Sequence, residues 1–289
     1  MKTAFTFQHG AARRSARAAI AGFSLVEVAI SLVLLALSAG AIVAVLRQQI
    51  EQRKIADTDA ILSRSHDALL AYVTAYGYLP CPAISTSKGV ESVASVVGLR
   101  RTCTVESGFL PAVTLGMNGL DTSGLLESAW HDGAGNNNGT YLRAIRYSVA
   151  SLAGTAYAGA LTSYGLGLPS SPGIRAQVLG QFTAPLYHGL FVCYSSAGLR
   201  NTNNRCGLVA ANSEAPNVAA IIWSLGGDAN DIAGYSTDER QNYTPTVPRV
   251  VVSHTYITRN AAGGPFDDQV NWIAFPEIAD RLVYGGFVQ

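Results

Sequence analysis

The sequence predicts an α+β fold, a long N-terminal α-helix packed on an antiparallel β-sheet head. Three observations predict it. Val28 to Leu46 contains no charged residue, and Arg47 to Tyr76 is amphipathic without a proline or glycine. Beyond Tyr141, short apolar segments follow one another with no regular helix alternating between them, which favours antiparallel pairing over a doubly wound sheet.

The helix reads as two halves. Residues 23–46 are long enough to cross about 30 Å of hydrocarbon at about 1.5 Å per residue, so the first half is expected to span a membrane. The segment 1–22 carries Lys2, Arg13, Arg14 and Arg17 and no acid, which keeps it cytoplasmic and sends the rest of the chain across. The small pair Ala21-Gly22 lies before the apolar stretch, whereas a secretory signal is cut after it. Glu27 is costly near a membrane span, about 2.5 to 3.5 kcal/mol if it reaches the centre, so it needs a partner or a task. The simpler reading is an interfacial carboxylate that snorkels to lipid headgroups.

The second half, 47–76, continues the helix. Ile55, Leu62, Leu69 and Tyr76 recur every seven residues, and Ile61, Leu70, Tyr72 and Val73 widen the stripe, so one face is built to be covered. Tyr78-Leu79-Pro80-Cys81-Pro82 ends it, because the prolines remove donors and bias their predecessors toward extended backbone. The head then occupies 77–289.

The run Ala21-Gly22-Phe23-Ser24-Leu25-Val26-Glu27 closely resembles the N-terminal signature of type IV prepilins and pseudopilins, although its leader is longer than those common on pilins that begin with Phe. The resemblance implies a pilin-like fold, cleavage between Gly22 and Phe23 by a prepilin peptidase, and methylation of Phe23. It also implies that Glu27, fifth in the mature chain, neutralises the amine of a neighbouring subunit during assembly. The expected partners are other pilins or pseudopilins through the helix, the peptidase, an inner-membrane assembly platform and membrane lipid. The expected location is the inner membrane, single-pass with the head in the periplasm, then a fibre. A large head points to a minor subunit; the alternative is a monomeric membrane-anchored exported binding protein with an adhesin-like head.

Within the head, a long connection runs to about Leu126. Its Leu79-Pro80-Cys81-Pro82 and Leu110-Pro111 with Thr114-Leu115-Gly116 are similar to elements of minor pilin-like proteins, and Ala129-Trp130 with Arg146-Tyr147 fit the same scaffold. Strands are expected at Ile145 to Val149, Gly189 to Tyr194, Asn217 to Leu225, Arg249 to Ile257 and Asn271 to Phe275. Pro276, Ile278, Leu282 and Gly285-Gly286 predict a short C-terminal helix.

Composition narrows the function classes. Charged residues make up 13% and the net charge is +1, so no basic field argues for nucleic acid. The 29 glycines and 13 tyrosines suggest a loop-rich, β-containing exported domain. Four cysteines on the exported side allow three pairings. Sequence neighbours favour Cys81 with Cys103 and Cys193 with Cys206, each contributing roughly 3 kcal/mol in a chain-entropy model. Neither pair has CxxC spacing, which argues against zinc.

Ser224-Leu225-Gly226-Gly227-Asp228 and Gly263-Gly264-Pro265-Phe266-Asp267-Asp268 resemble the calcium-binding loop of major pseudopilins. That resemblance implies a tentative calcium site from the Leu225 carbonyl, Asp228, Asp267 and Asp268, since calcium takes six to eight oxygens; the plainer reading is two Asp-rich turns. His131 to Gly139 is a second oxygen-rich loop that lacks an EF-hand's closing acid, and reads as a surface loop. His9, His66, His131, His188 and His254 are dispersed and no HExxH, GxSxG or phosphate loop is present, so catalysis is not expected.

Overall fold

The computed structural model describes residues 24–130, 139–150, 161–163, 167–168, 171–172, 174, 189–196, 199, 206, 213–227, 229, 237–243, 250–252 and 266–287, with the backbone alone at 39–42, 44, 139–140, 167–168, 171–172, 217, 250 and 252. It divides into two compact units, Met1–Ile50 and Glu51–Gln289. In chain order the elements are α1 (Leu25–Tyr76), β1 (Val93–Val97), β2 (Arg100–Cys103), β3 (Ser107–Phe109), α2 (Gly139–Arg143), β4 (Arg146–Val149), β5 (Gly167–Leu168), β6 (Ser171–Pro172), β7 (Leu190–Cys193), β8 (Ser213–Val218), β9 (Ala220–Ser224), α3 (Thr237–Tyr243), β10 (Val250–Val252), β11 (Gln269–Ile273) and α4 (Phe275–Tyr284).

In the first unit α1 starts after Ser24, whose hydroxyl accepts the Val26 N–H at 3.3 Å and whose carbonyl accepts that of Val28 at 3.1 Å. This is the cap a serine supplies to orphan donors. Glu27 lies in the first turn, where the positive end of the helix favours a carboxylate. The expected membrane span is corrected: among the described residues no helix is long and apolar enough to cross a membrane. The finding overturns the membrane-spanning half of the predicted fold and the single-pass inner-membrane location.

In the second unit the remainder of α1 supplies one wall of the core. Leu62, Leu69, Leu70 and Val73 are buried, each worth about 1.5 to 3 kcal/mol relative to exposure. The covered stripe also takes in Thr58 and Ser65. Small hydroxyls fit there because each bonds at once: Ser65 donates to the Ile61 carbonyl at 2.8 Å, and Thr58 accepts the Ala129 N–H at 3.2 Å. Tyr76, expected on the stripe, is 54% exposed. The helix ends at Gly77, whose φ of +75° lets its N–H reach the Val73 carbonyl at 2.8 Å.

The main sheet is antiparallel in the order β11-β9-β4-β3. Its central strand β9 is buried at all five positions, so its side chains are covered on both faces. The single strand expected over Asn217 to Leu225 is two. Ala219 separates β8 from β9, donating its N–H to the Ile273 carbonyl while its own carbonyl accepts from Ala150, and the chain changes sheet there. The second sheet, β10-β7-β8, pairs β10 with β7 in parallel, which corrects the wholly antiparallel head. The apolar run of β7, buried throughout, suits a strand covered on both sides.

The predicted C-terminal helix is present as α4, with Phe275, Ile278 and Leu282 buried. Its partner is α1: His66 Nε2 lies 2.9 Å from Glu277 Oε2, and a Cβ at Gly285 would stand 2.7 Å from the Thr74 carbonyl. Glu277 Oε1 also accepts the Ala274 N–H at 3.1 Å, so one carboxylate caps the helix and docks it. Both expected disulfides are formed, Cys81–Cys103 and Cys193–Cys206.

Candidate functional site

The β9–β11 ladder closes at Ser224 opposite Gln269. The residues after Ser224 and before Gln269 therefore leave the sheet at the same end, and two turns far apart in sequence meet there. Asp267 Oδ2 accepts the Gly227 N–H at 2.8 Å across a separation of 40 residues. Gly226, at φ +69°, leaves space that a Cβ would fill 1.9 Å from Asp267 Oδ1. The turn is left-handed and pressed against a carboxylate, two reasons for glycine at one position.

Helix α3 closes the site from a third direction. Glu239 Oε1 accepts the Asp267 N–H at 3.2 Å, and the Asn242 amide donates to Asp268 Oδ2 at 2.7 Å. Gln269 Nε2 donates to the Ile55 carbonyl of α1 at 2.9 Å. On the far side Gly227 backs onto Trp130, with a Cβ due 2.6 Å from the indole, and Lys54 Nζ lies 5.6 Å from the ring centroid. Leu225, Glu239, Asp267 and Asp268 are all buried. The arrangement clasps three chain segments through charge-assisted hydrogen bonds, which are stronger than neutral ones.

The described members of the expected calcium set are Leu225, Asp267 and Asp268; Asp267 Oδ2 accepts from the Gly227 N–H and Asp268 Oδ2 from the Asn242 amide. Asp228 lies outside the described residues. Among the described residues no group of three or more His, Cys, Asp or Glu side chains is gathered to hold a metal. What the turns build is a latch, with Asp267 as its bolt.

The remaining expected site residues are scattered. Gly22 and Phe23 lie outside the described residues. Glu27 is exposed on α1, and its carbonyl accepts the Ser31 hydroxyl at 2.8 Å. His66 docks α4 and faces Asp67 at 3.6 Å; the other four histidines and the loop 131–138 lie outside the described residues. Sequence reasoning missed Glu239 and Asn242, which sit on a helix of seven residues, too short to show a period. Asp238-Glu239 just after Thr237 was the available signal, being a helix-start pattern. Comparison with protein-family models, curated proteins and solved structures finds no match.

Proposed function

We propose that the chain is a minor subunit of a type IV pilin-like or pseudopilin fibre, processed after Gly22 and assembled through the N-terminal part of α1. One observation carries the reading: the apolar side chains of that segment stand in water. Leu25 is 89% exposed and Leu35 and Leu37 are 67% exposed, with Val26, Ile30, Leu32, Val33 and Leu34 similarly uncovered. A contiguous apolar surface of this kind marks an interaction site. Neighbouring copies of the same helix, or related subunits, supply the cover.

Glu27 supports the same reading. A carboxylate at the start of an otherwise uncharged surface has a task if a neighbour's N-terminal amine pairs with it on assembly, and Phe23 would supply that amine. The two disulfides suit an exported head. The test is the mature N-terminus. Intact mass of the chain from cells with an active prepilin peptidase should give a methylated Phe23 start, and a chain beginning at Met1 would overturn the reading. Glu27→Ala should then lower the amount of subunit in sheared fibres while its cellular level stays the same.

A further inference from the structure

Between β3 and α2 the chain makes two hydrogen-bonded turns, and the dipeptide that joins them is left loose. On the near side the Met117 N–H donates to the Ala112 carbonyl at 2.9 Å. On the far side Leu120 bridges Leu126, and Asp121 Oδ1 accepts the N–H groups of Ser123 and Leu125 at 2.9 and 2.7 Å. Asn118 and Gly119, between these anchors, are both exposed. Among the described residues the Gly119 N–H has no acceptor. Its φ is +81°, and apart from its chain neighbours no atom lies within 4 Å of where a Cβ would stand. A segment with so few contacts opens locally at little cost.

These features suit one reaction. An asparagine side chain brings an amide carbon within reach of the next residue's backbone nitrogen, and bond formation between them closes an imide ring. A side chain on the next residue crowds that attack, a hydrogen bond ties up the nitrogen, and a packed backbone keeps the two atoms apart. Gly119 brings none of the three: it has no Cβ, its N–H is unengaged and its surroundings leave the backbone free to turn. The exposure of Asn118 admits the base that takes the proton and the water that opens the ring.

We infer that Asn118 is a site of spontaneous deamidation. The Gly119 nitrogen, its proton taken by hydroxide, bonds to Asn118 Cγ; the Cγ–Nδ2 bond breaks, and ammonia leaves with a proton from solvent. Water then opens the succinimide at either carbonyl. Breaking the new Cγ–N bond gives aspartate. Breaking the bond between the Asn118 main-chain carbonyl carbon and the Gly119 nitrogen gives isoaspartate, which routes the main chain through the side-chain carbon. One water is consumed and one ammonia released, with no change of oxidation state. Either product carries a carboxyl that is ionised at neutral pH, so the formal net charge of the whole sequence falls from +1 to zero. The head thus gains a negative charge with age, on a loop pinned at both ends. Asn242 gives the contrast: it is buried on α3 and its amide donates to Asp268 Oδ2 at 2.7 Å. It should react about a hundredfold more slowly or less, the scale set by a misplaced reacting group.

The test is incubation of the full folded chain at mildly alkaline pH, followed by digestion and peptide mapping by mass and for isoaspartate. The peptide holding residue 118 should exchange its side-chain NH2 for OH, with isoaspartate present and the loss quickening as pH rises, while the peptide holding Asn242 stays intact. Isoelectric focusing of the whole chain should show a more acidic band growing over the same period. Asn118→Gln should remove the reaction at 118, because the longer side chain must close a larger and slower ring. Gly119→Ala should slow it by about an order of magnitude by crowding the nitrogen. Both positions face solvent, so the variants keep the fold, which circular dichroism checks. An Asn118 peptide that outlasts the Asn242 peptide overturns the inference. So does equal loss in Asn118→Gln, or aspartate formed without isoaspartate, since either would mean direct hydrolysis by water with no part for Gly119.

Discussion

Gly226→Ala tests the latch most sharply, because two costs fall on one atom. The backbone there is left-handed at φ +69°, which costs an alanine about 1 kcal/mol. The new Cβ would also stand 1.9 Å from Asp267 Oδ1, 2.4 Å from its Cγ and 2.8 Å from its carbonyl oxygen. Asp267 must move, and its charge-assisted bond from the Gly227 N–H goes with it, at about 1.5 to 3 kcal/mol. The sum is about 2.5 to 4 kcal/mol. Gly116→Ala is the matched control: its φ is +67° and nothing lies within 4 Å of the added carbon, so it should lose only about 1 kcal/mol. Urea unfolding followed by tryptophan fluorescence reads both, since Trp130 sits against Gly227. With m near 3 kcal/mol per molar, the midpoint should fall by about 0.8 to 1.3 M for Gly226→Ala and about 0.3 M for Gly116→Ala. Equal shifts would show that backbone strain alone acts and that Asp267 holds nothing.

Three further outcomes are expected. Replacing Cys193 and Cys206 together by alanine should destabilise the head by roughly 3 kcal/mol on a chain-entropy account, read as a lower urea midpoint; an unchanged midpoint would deny the bridge a stabilising role. Glu91→Ala should cost about 3 kcal/mol or more in the same assay, because it strands the half-buried Arg101 guanidinium and the Cys81 N–H that Glu91 accepts at 3.0 Å; an unchanged midpoint would show that Glu91 holds neither. Burial raises the Tyr72 and Tyr147 hydroxyls above the usual tyrosine range, Tyr72 further through its bond with Tyr78. A raised folded pKa means stability that is complete below the unfolded value near 10 and lost as pH climbs past it. The head should therefore unfold on alkaline titration with late phenolate absorbance. Tyr147→Phe should flatten that dependence and lose about 1 kcal/mol at neutral pH with its bond to the Pro80 carbonyl.

The site shows how far a sequence can be read. Leu225, Asp267 and Asp268 were visible as two Gly-Asp turns, and the β9–β11 register does bring those turns together. Their hydrogen-bond partners were not visible. Whether a buried carboxylate meets a cation or an N–H depends on what a third segment delivers, and Glu239 and Asn242 come from a helix of seven residues that carries no periodic signal. The β1–β2 hairpin was equally hidden, lying inside what reads from sequence as one long connection to about Leu126.

The sequence by itself determined what is local: the stop of α1 before Pro80, the placement of α4 behind Pro276, and cysteine pairs joined across 22 and 13 residues. These follow from capping, proline sterics and short-loop closure, all settled within a few turns of chain. Only the tertiary structure decided the change of sheet at Ala219, the parallel β10–β7 pair, the docking of α4 by His66 across 211 residues and the Asp267 latch across 40. It also removed the expected membrane span among the described residues. Such contacts depend on which surfaces find cover, and a pattern along one chain carries no record of its distant neighbours.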